Sequence, residues 1–278
     1  MLNLREIHKP TMLADALKFL QQPNTIALAG GTQLLADKRH DVRAVVDLSA
    51  LGLAYIRERD GAITIGATTT LAALDESPIL RALANGVIAQ AAHHSASSIL
   101  RNQATIVGTL IAEPDGALAV ALLALDARAM IVGKETRAIA VSDLAKELDG
   151  KSLVTEITVP MTNPRTSLQT VARTPSDKPI VCVVASARIE NGGARDTRIA
   201  LGGVGEIATR ASAAENELEG QPLNDAVIEK AARVASQDLS PRDDPSTTLR
   251  TSFRGSAEYR KEMAIVLTRR AVKELMSS

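Results

Sequence analysis

The sequence predicts an α+β protein in two parts, and three observations carry that prediction. Residues 25–48 read as strand, short helix and strand at the spacing of a small βαβ unit. Asp60-Gly61 separates two short β-type runs, a strong hairpin signal. Beyond the Pro- and Gly-marked stretch 149–166, strands come first and helices follow, so a boundary is expected near 162–168.

In chain order, Met12, Leu13, Ala16, Leu17 and Leu20 share one face of a helix over 11–21, with Thr11 as its expected cap. Thr25–Ala29 is a strand, Leu34-Leu35 opens a helix ending near Lys38-Arg39, and Ala44–Leu48 is a buried strand. The hairpin pairs 55–59 with 62–66. Helices are expected at 70–75, at 79–83 with Pro78 at its start, at 87–94 after Asn85-Gly86, and at 117–125. Strands follow at 129–132, 152–159, 167–173, 180–190 and 194–202, with a turn at Asn191-Gly192-Gly193. Period-3.6 patterning marks helices at 211–218, 225–236 and 256–276, the last lined by Tyr259, Met263, Val266, Leu267 and Ala271. Residues 238–252 read as a polar loop.

Composition narrows the function. Lys plus Arg equals Asp plus Glu at 32 each, so no global field recruits nucleic acid or an acidic membrane. Phe19, Tyr55, Phe253 and Tyr259 are the whole aromatic complement, too few for base-stacking platforms. Cys182 is the one cysteine, inside an apolar run, which excludes an internal disulfide, an iron–sulfur cluster and a cysteine zinc site. No apolar run reaches the length of a membrane span and no leader is visible, so a cytoplasmic protein is expected.

Four clusters are candidates for chemistry. Ala29-Gly30-Gly31-Thr32-Gln33 joins strand to helix, and adjacent glycines let peptide N–H groups approach a phosphate. The motif is neither GxGxxG nor GxxxxGK[ST], and alone it is a weak signal that fits an ordinary structural turn better. Arg101 to Ala112 runs through Thr105, Ile106, Val107, Gly108 and Thr109 as a strand or loop, with two hydroxyl donors, and then reaches Glu113-Pro114-Asp115-Gly116. Its plainer reading is a strand leaving a loop, with Arg101 as a solvated charge. His93-His94 are neighbours about 100° apart on a helix and do not chelate one ion together. Arg254-Gly255-Ser256 caps the terminal helix, whose polar face Arg260 continues. With no nucleophilic triad and no carboxylate pair, any redox chemistry is borrowed from a cofactor.

Taken together and in order, these segments resemble the flavin-binding medium subunit of molybdenum hydroxylases, the carbon monoxide dehydrogenase and xanthine dehydrogenase class. Leu28-Ala29-Gly30-Gly31-Thr32 resembles the first pyrophosphate loop, and Ala104-Thr105-Ile106 leads into the second. Ala121 to Ala127, Ala200 to Val204 and Gly255 to Arg260 resemble later segments. The resemblance implies a two-subdomain FAD-binding domain over 1–163, a small βαβ part at 1–52 and a larger mixed α/β part at 53–163. A C-terminal domain of a three-stranded antiparallel sheet and helices would follow over 164–278. It implies FAD held by Ala29, Gly30, Gly31, Thr32, Gln33, Thr105, Ile106, Gly108, Thr109 and Asp115, with no catalytic acid or base. It implies electron transfer, a molybdenum-cofactor large subunit and a 2Fe-2S small subunit as partners, and room for a homodimer.

Two departures from the family pattern matter. Its Gly-Gly-Asn is Val107-Gly108-Thr109 here, and Glu113 brings a negative charge near the expected phosphates. A misplaced carboxylate would cost ~1–3 kcal/mol. A scaffold without flavin, and a stand-alone flavoenzyme of the vanillyl-alcohol/berberine type, therefore stay open as alternatives.

Overall fold

A computed structural model describes residues 4–37, 39–174, 177–237, 239, 241 and 255–277. The first part opens with β1 (Glu6–His8), α1 (Leu13–Leu20), β2 (Thr25–Leu28), α2 (Thr32–Asp37) and β3 (Ala44–Asp47). The three strands form a parallel sheet in the order β1-β3-β2, so β3 is central and β2 is an edge. Ala16 and Leu20 of α1 bury against Val46, Leu48 and Leu153. The sequence does not announce β1 because Glu6-Ile7-His8, although alternating, is too short a run to signal a strand. The α1 cap is Met12, with no side-chain hydrogen bond, in place of Thr11.

Next come β4 (Ile56–Arg59), β5 (Ala62–Gly66), α3 (Leu71–Glu76), α4 (Pro78–Ala82), α5 (Val87–Ser95) and α6 (Ser98–Arg101). They are followed by α7 (Ile106–Ala112), α8 (Ala117–Ala124), β6 (Arg128–Val132), β7 (Thr136–Ala140), α9 (Leu144–Glu147) and β8 (Leu153–Pro160). The five strands form an antiparallel sheet in the order β4-β5-β8-β6-β7. The hairpin turns at Asp60 (φ 51°) and Gly61 (φ 73°), both left-handed as a type I′ turn requires. Ile63, Ile65, Ala129, Ile131 and Ile157 join one core with α3, α5, α7 and α8.

The last part holds β9 (Arg165–Val171), β10 (Val181–Glu190), β11 (Gly193–Gly202), β12 (Thr209–Arg210), α10 (Ser212–Leu218), α11 (Asp225–Val234) and α12 (Ala257–Glu274). Its antiparallel sheet runs β12-β11-β10-β9, so the expected three strands gain a short fourth. Val181, Val183, Ile199 and Leu201 pack on the three helices, while Cys182, Val184 and Ala200 pack into the same core as α8. Both sheet faces are covered, which is why β10 reads as an unbroken apolar run. α8 is apolar on every side because it lies between α5 and this sheet.

On α12 the buried stripe is Arg260, Ala264, Leu267, Thr268, Ala271 and Val272, and Tyr259 is 38% exposed. The expected face was therefore set by Tyr259 one position too early. Arg260 leaves the polar face altogether: its guanidinium donates Nη1 to the Gly203 carbonyl at 3.0 Å. The polar loop at 238–252 (apart from Leu239 and Pro241), Lys38, Phe253 and Arg254 lie outside the described residues.

Candidate cofactor-binding site

Gly30 and Gly31 end β2 and lead into α2. Gly31 takes φ +70°, which an L side chain resists. A Cβ on Gly30 would stand 1.7 Å from the Gln103 carbonyl oxygen and 3.2 Å from the Ala104 nitrogen. The first bend therefore lies directly against the second, across more than 70 residues of chain.

The second bend is a helix start, not a strand or loop. Thr105 is extended (φ −107°, ψ 158°) and caps α7, its hydroxyl accepting from the Gly108 N–H at 3.3 Å. Leu71 N–H donates to Ala104 O at 2.8 Å and Ile106 N–H to Thr69 O at 2.9 Å. These bonds strap the bend to the end of β5 and the start of α3. Arg101 is no solvated charge: its Nη1 donates to the His93 and Ala96 carbonyls at 3.1 and 3.0 Å, which fixes the approach to the bend.

Between the bends opens a cavity of about 450 Å³, within the range of small-molecule sites. Ala29, Gly30, Gly31, Thr32, Gln33, Thr105 and Gly108 line it. The first peptide N–H groups of α2 have no acceptor within their own helix, so the first bend presents donors there. Those of α7 are taken by Thr69 O, Ala67 O and the Thr105 hydroxyl, so the second bend offers the Thr105 O–H. Ile106, Thr109 and Asp115 do not line it. Ile106 and Thr109 are buried on the core side of α7, and Asp115 is buried with its carbonyl beside Gly202. Val107 does line the cavity, and it fills space where the family pattern has glycine. Glu113 turns away and pairs with Lys178, so the feared repulsion is absent from the lining.

A third wall, Leu148 to Val154, escaped the sequence reading. Asp149 Oδ1 accepts from the N–H groups of Lys151 and Ser152, each at 2.9 Å, and from the Ser152 hydroxyl. The Ser152 hydroxyl, then the backbone donors, hold this carboxyl below its usual range. Gln21, just past the end of α1, donates its Nε2 to the Lys151 carbonyl at 3.1 Å and anchors the wall. Asp149-Gly150 had signalled only a turn. Asp37 at the end of α2 lines the cavity too, with its Oδ1 accepting from Gln33 Nε2 at 2.7 Å.

His93 and His94 sit elsewhere, edge to face at 5.7 Å. His93 Nδ1 lies 2.9 Å from Asp75 Oδ2. Burial, then the charges of His93 and Arg101, lowers the His94 pKa. Among the described residues no three His, Cys, Asp or Glu side chains form a metal-sized group.

Comparison with known proteins places this geometry. The family described as FAD binding domain in molybdopterin dehydrogenase matches residues 3–162. The family described as CO dehydrogenase flavoprotein C-terminal domain matches 166–275. The glyceraldehyde dehydrogenase medium chain of Sulfolobus acidocaldarius is 29% identical over 280 residues, 95% of each chain. The carbon monoxide dehydrogenase medium chain of Afipia carboxidovorans is 28% identical over 287 residues, covering 96% of this chain and 95% of that one. Carbon monoxide dehydrogenase from Hydrogenophaga pseudoflava, solved in a form lacking the Mo-pyranopterin moiety of its molybdenum cofactor, superposes with a TM-score of 0.90 at 26% identity. That superposition covers 98% of this chain and 97% of that one. The chain belongs to the family of FAD-binding subunits of molybdenum hydroxylases, a class of oxidoreductase flavoproteins.

The residues present fit FAD. The wall at Gly30 leaves no room for a Cβ, the peptide donors at the start of α2 face the Thr105 hydroxyl across the cavity, and no acidic residue stands at either bend.

Proposed function

We propose that this chain is the electron-transfer subunit of a molybdenum hydroxylase complex, taking electrons from iron–sulfur clusters in a partner and delivering them to an external acceptor. The observation that carries the reading is the contact between the Gly30 bend and the Gln103–Ala104 segment, with a cavity between the two bends. Gly30, Gly31 and the N-terminal N–H groups of α2 would hold one side of the FAD diphosphate, with Thr32 and Gln33 adding polar contacts. Gly108 and the Thr105 hydroxyl, whose proton remains to donate while its oxygen caps α7, would hold the other side. Ile106 and Thr109 brace α7 from behind, and Asp115 sits buried in the turn before α8.

Bound FAD supplies a centre that accepts and releases electrons. The chain's own part is to bind, orient and enclose it, and no residue is assigned as acid or base. Cys182 is the one cysteine of the chain and 2% exposed, and a cluster needs several, so the clusters belong to a small 2Fe-2S partner and substrate oxidation to a molybdenum-cofactor partner. The same proposal divides the chain into an FAD domain over 1–163, with subdomains at 1–52 and 53–163, and a C-terminal domain over 164–278. It sets the complex in the cytoplasm.

Purification of the tagged chain from its own cells tests the assignment. The account expects two co-purifying chains, with flavin, iron and molybdenum in fixed ratios. A flavin-loaded chain with neither metal would point instead to a stand-alone flavoprotein, and a folded chain without flavin to a scaffold.

A further inference from the structure

Asp37 is the only charged side chain among the described residues that line the cavity, and it is acidic in a site otherwise arranged to receive an anion. It is the last residue of α2, five residues beyond Thr32, so it stands about 7–8 Å along the helix axis from the glycine bend. Gln33 Nε2 holds its Oδ1 at 2.7 Å. A carboxylate offers about four acceptor sites, enough to serve more than one donor.

The rest of this limb has a matching chemistry. Ile26, Ala27, Leu28 and Ala29 all line the cavity. Side chains alternate along a strand, so four consecutive lining residues mean that the cavity runs along the backbone edge of β2. β2 is the edge of its sheet, with an outer row of peptide N–H and C=O groups. Leu34 and Leu48 add aliphatic walls. Carboxylate, peptide edge and aliphatic walls suit a neutral sugar joined to a flat heterocycle, and they oppose a phosphate.

FAD carries such a group on each side of its diphosphate. The flavin ring must exchange electrons beyond the chain. The limb across from β2 carries Ile111, which lines the cavity and is 51% exposed. Ala27 and Gln33 on the β2 limb are exposed too, but among the described lining residues Ile111 is the one large apolar side chain that is exposed, so the flat apolar flavin is placed there and the β2 limb is left for adenosine. In dinucleotide folds an acid at the end of the second strand binds the adenosine ribose. Asp47 holds that position here, but its carboxylate accepts from Ser49 N–H at 2.9 Å, pairs with Lys9 at 3.5 Å and does not line the cavity.

We propose that Asp37, steadied by Gln33, accepts hydrogen bonds from the ribose hydroxyls of the adenosine half of FAD and makes the cavity select FAD over FMN. The inference rests on the flavin reading above. Flavin-fluorescence titrations with FAD and FMN, and displacement of FAD by ADP, test it on the wild type, Asp37→Ala and Asp37→Asn, with circular dichroism to establish folding. Asp37→Ala is expected to raise Kd for FAD and ADP about 10- to 100-fold, leaving FMN binding where it was, with Asp37→Asn in between. Equal FAD and ADP affinity in wild type and variants overturns the proposal. So does tighter FAD binding by Asp37→Asn, which would make the carboxylate a mere repulsion, or a loss that falls on FMN. A folded wild type that binds no FAD overturns the flavin reading and takes this inference with it.

Discussion

Gly30 cannot be replaced without moving the opposite wall, because the obstacle is the Gln103 backbone and not a flexible side chain. Gly30→Ala is expected to abolish FAD binding and to lower stability by at least about 1–3 kcal/mol, read by urea denaturation. Tyr55 makes a second test at this scale. Burial, then the hydrogen bond from its hydroxyl to Glu156 at 2.7 Å, raises its pKa to about 12. The raised value means that its stabilising contribution is complete below pH 10, the unfolded value, and is lost as pH rises from 10 to 12. Denaturation curves at pH 9 and pH 12 should therefore diverge less for Tyr55→Phe than for wild type. Gly30-Gly31 was legible in the sequence because a glycine pair between a strand and a helix is a local signal. Asp37 was not, since its role depends on helix phase and on which edge of β2 is open. Arg260 was misread because a charge on a helix reads as solvated until a buried carbonyl is found beside it.

At the scale of elements, the joint between the halves lies where the α4–α5 corner meets β9. Asn163 Oδ1 accepts from Ala84 N–H at 2.8 Å, Asn85 Oδ1 accepts from Thr166 N–H at 3.0 Å, and the buried Thr166 hydroxyl donates to Ala84 O. Thr166→Val removes that bond and leaves the Ala84 carbonyl with the Val87 N–H alone; it is expected to cost about 0.5–1.5 kcal/mol in urea denaturation, with FAD affinity unchanged. Asn85-Gly86 was visible as an interruption, but its partner 81 residues away was not. The α7 segment shows the opposite failure. Thr-Ile-Val-Gly-Thr is β-branched and reads as a strand, yet the Thr105 cap and burial of Ile106 and Leu110 make it a helix. Period and turn chemistry carried most other elements. β7 and β12 were missed because short edge segments have little pattern of their own.

Across the whole molecule, one core runs from Ile63 through α8 to Cys182, Val184, Ala200 and Ala208, so the two halves share apolar packing. No single described helix is long and apolar enough to cross a membrane, and α7 and α8, which together have the composition, are bent by 107°. A fragment of residues 1–163 would bare the side of α8 that the C-terminal sheet covers. It is expected to aggregate or to bind a hydrophobic dye, where the full chain does neither. The order of segments was legible from the sequence, whereas their convergence on one cavity was not, because it depends on contacts such as Gly30 to Gln103 that no local window contains. Equilibrium titration of the folded chain with FAD tests that convergence most directly. The account predicts one FAD per chain in the wild type and none in Gly30→Ala; a wild type that binds no FAD, or a Gly30→Ala variant that binds it as well as wild type, would contradict it.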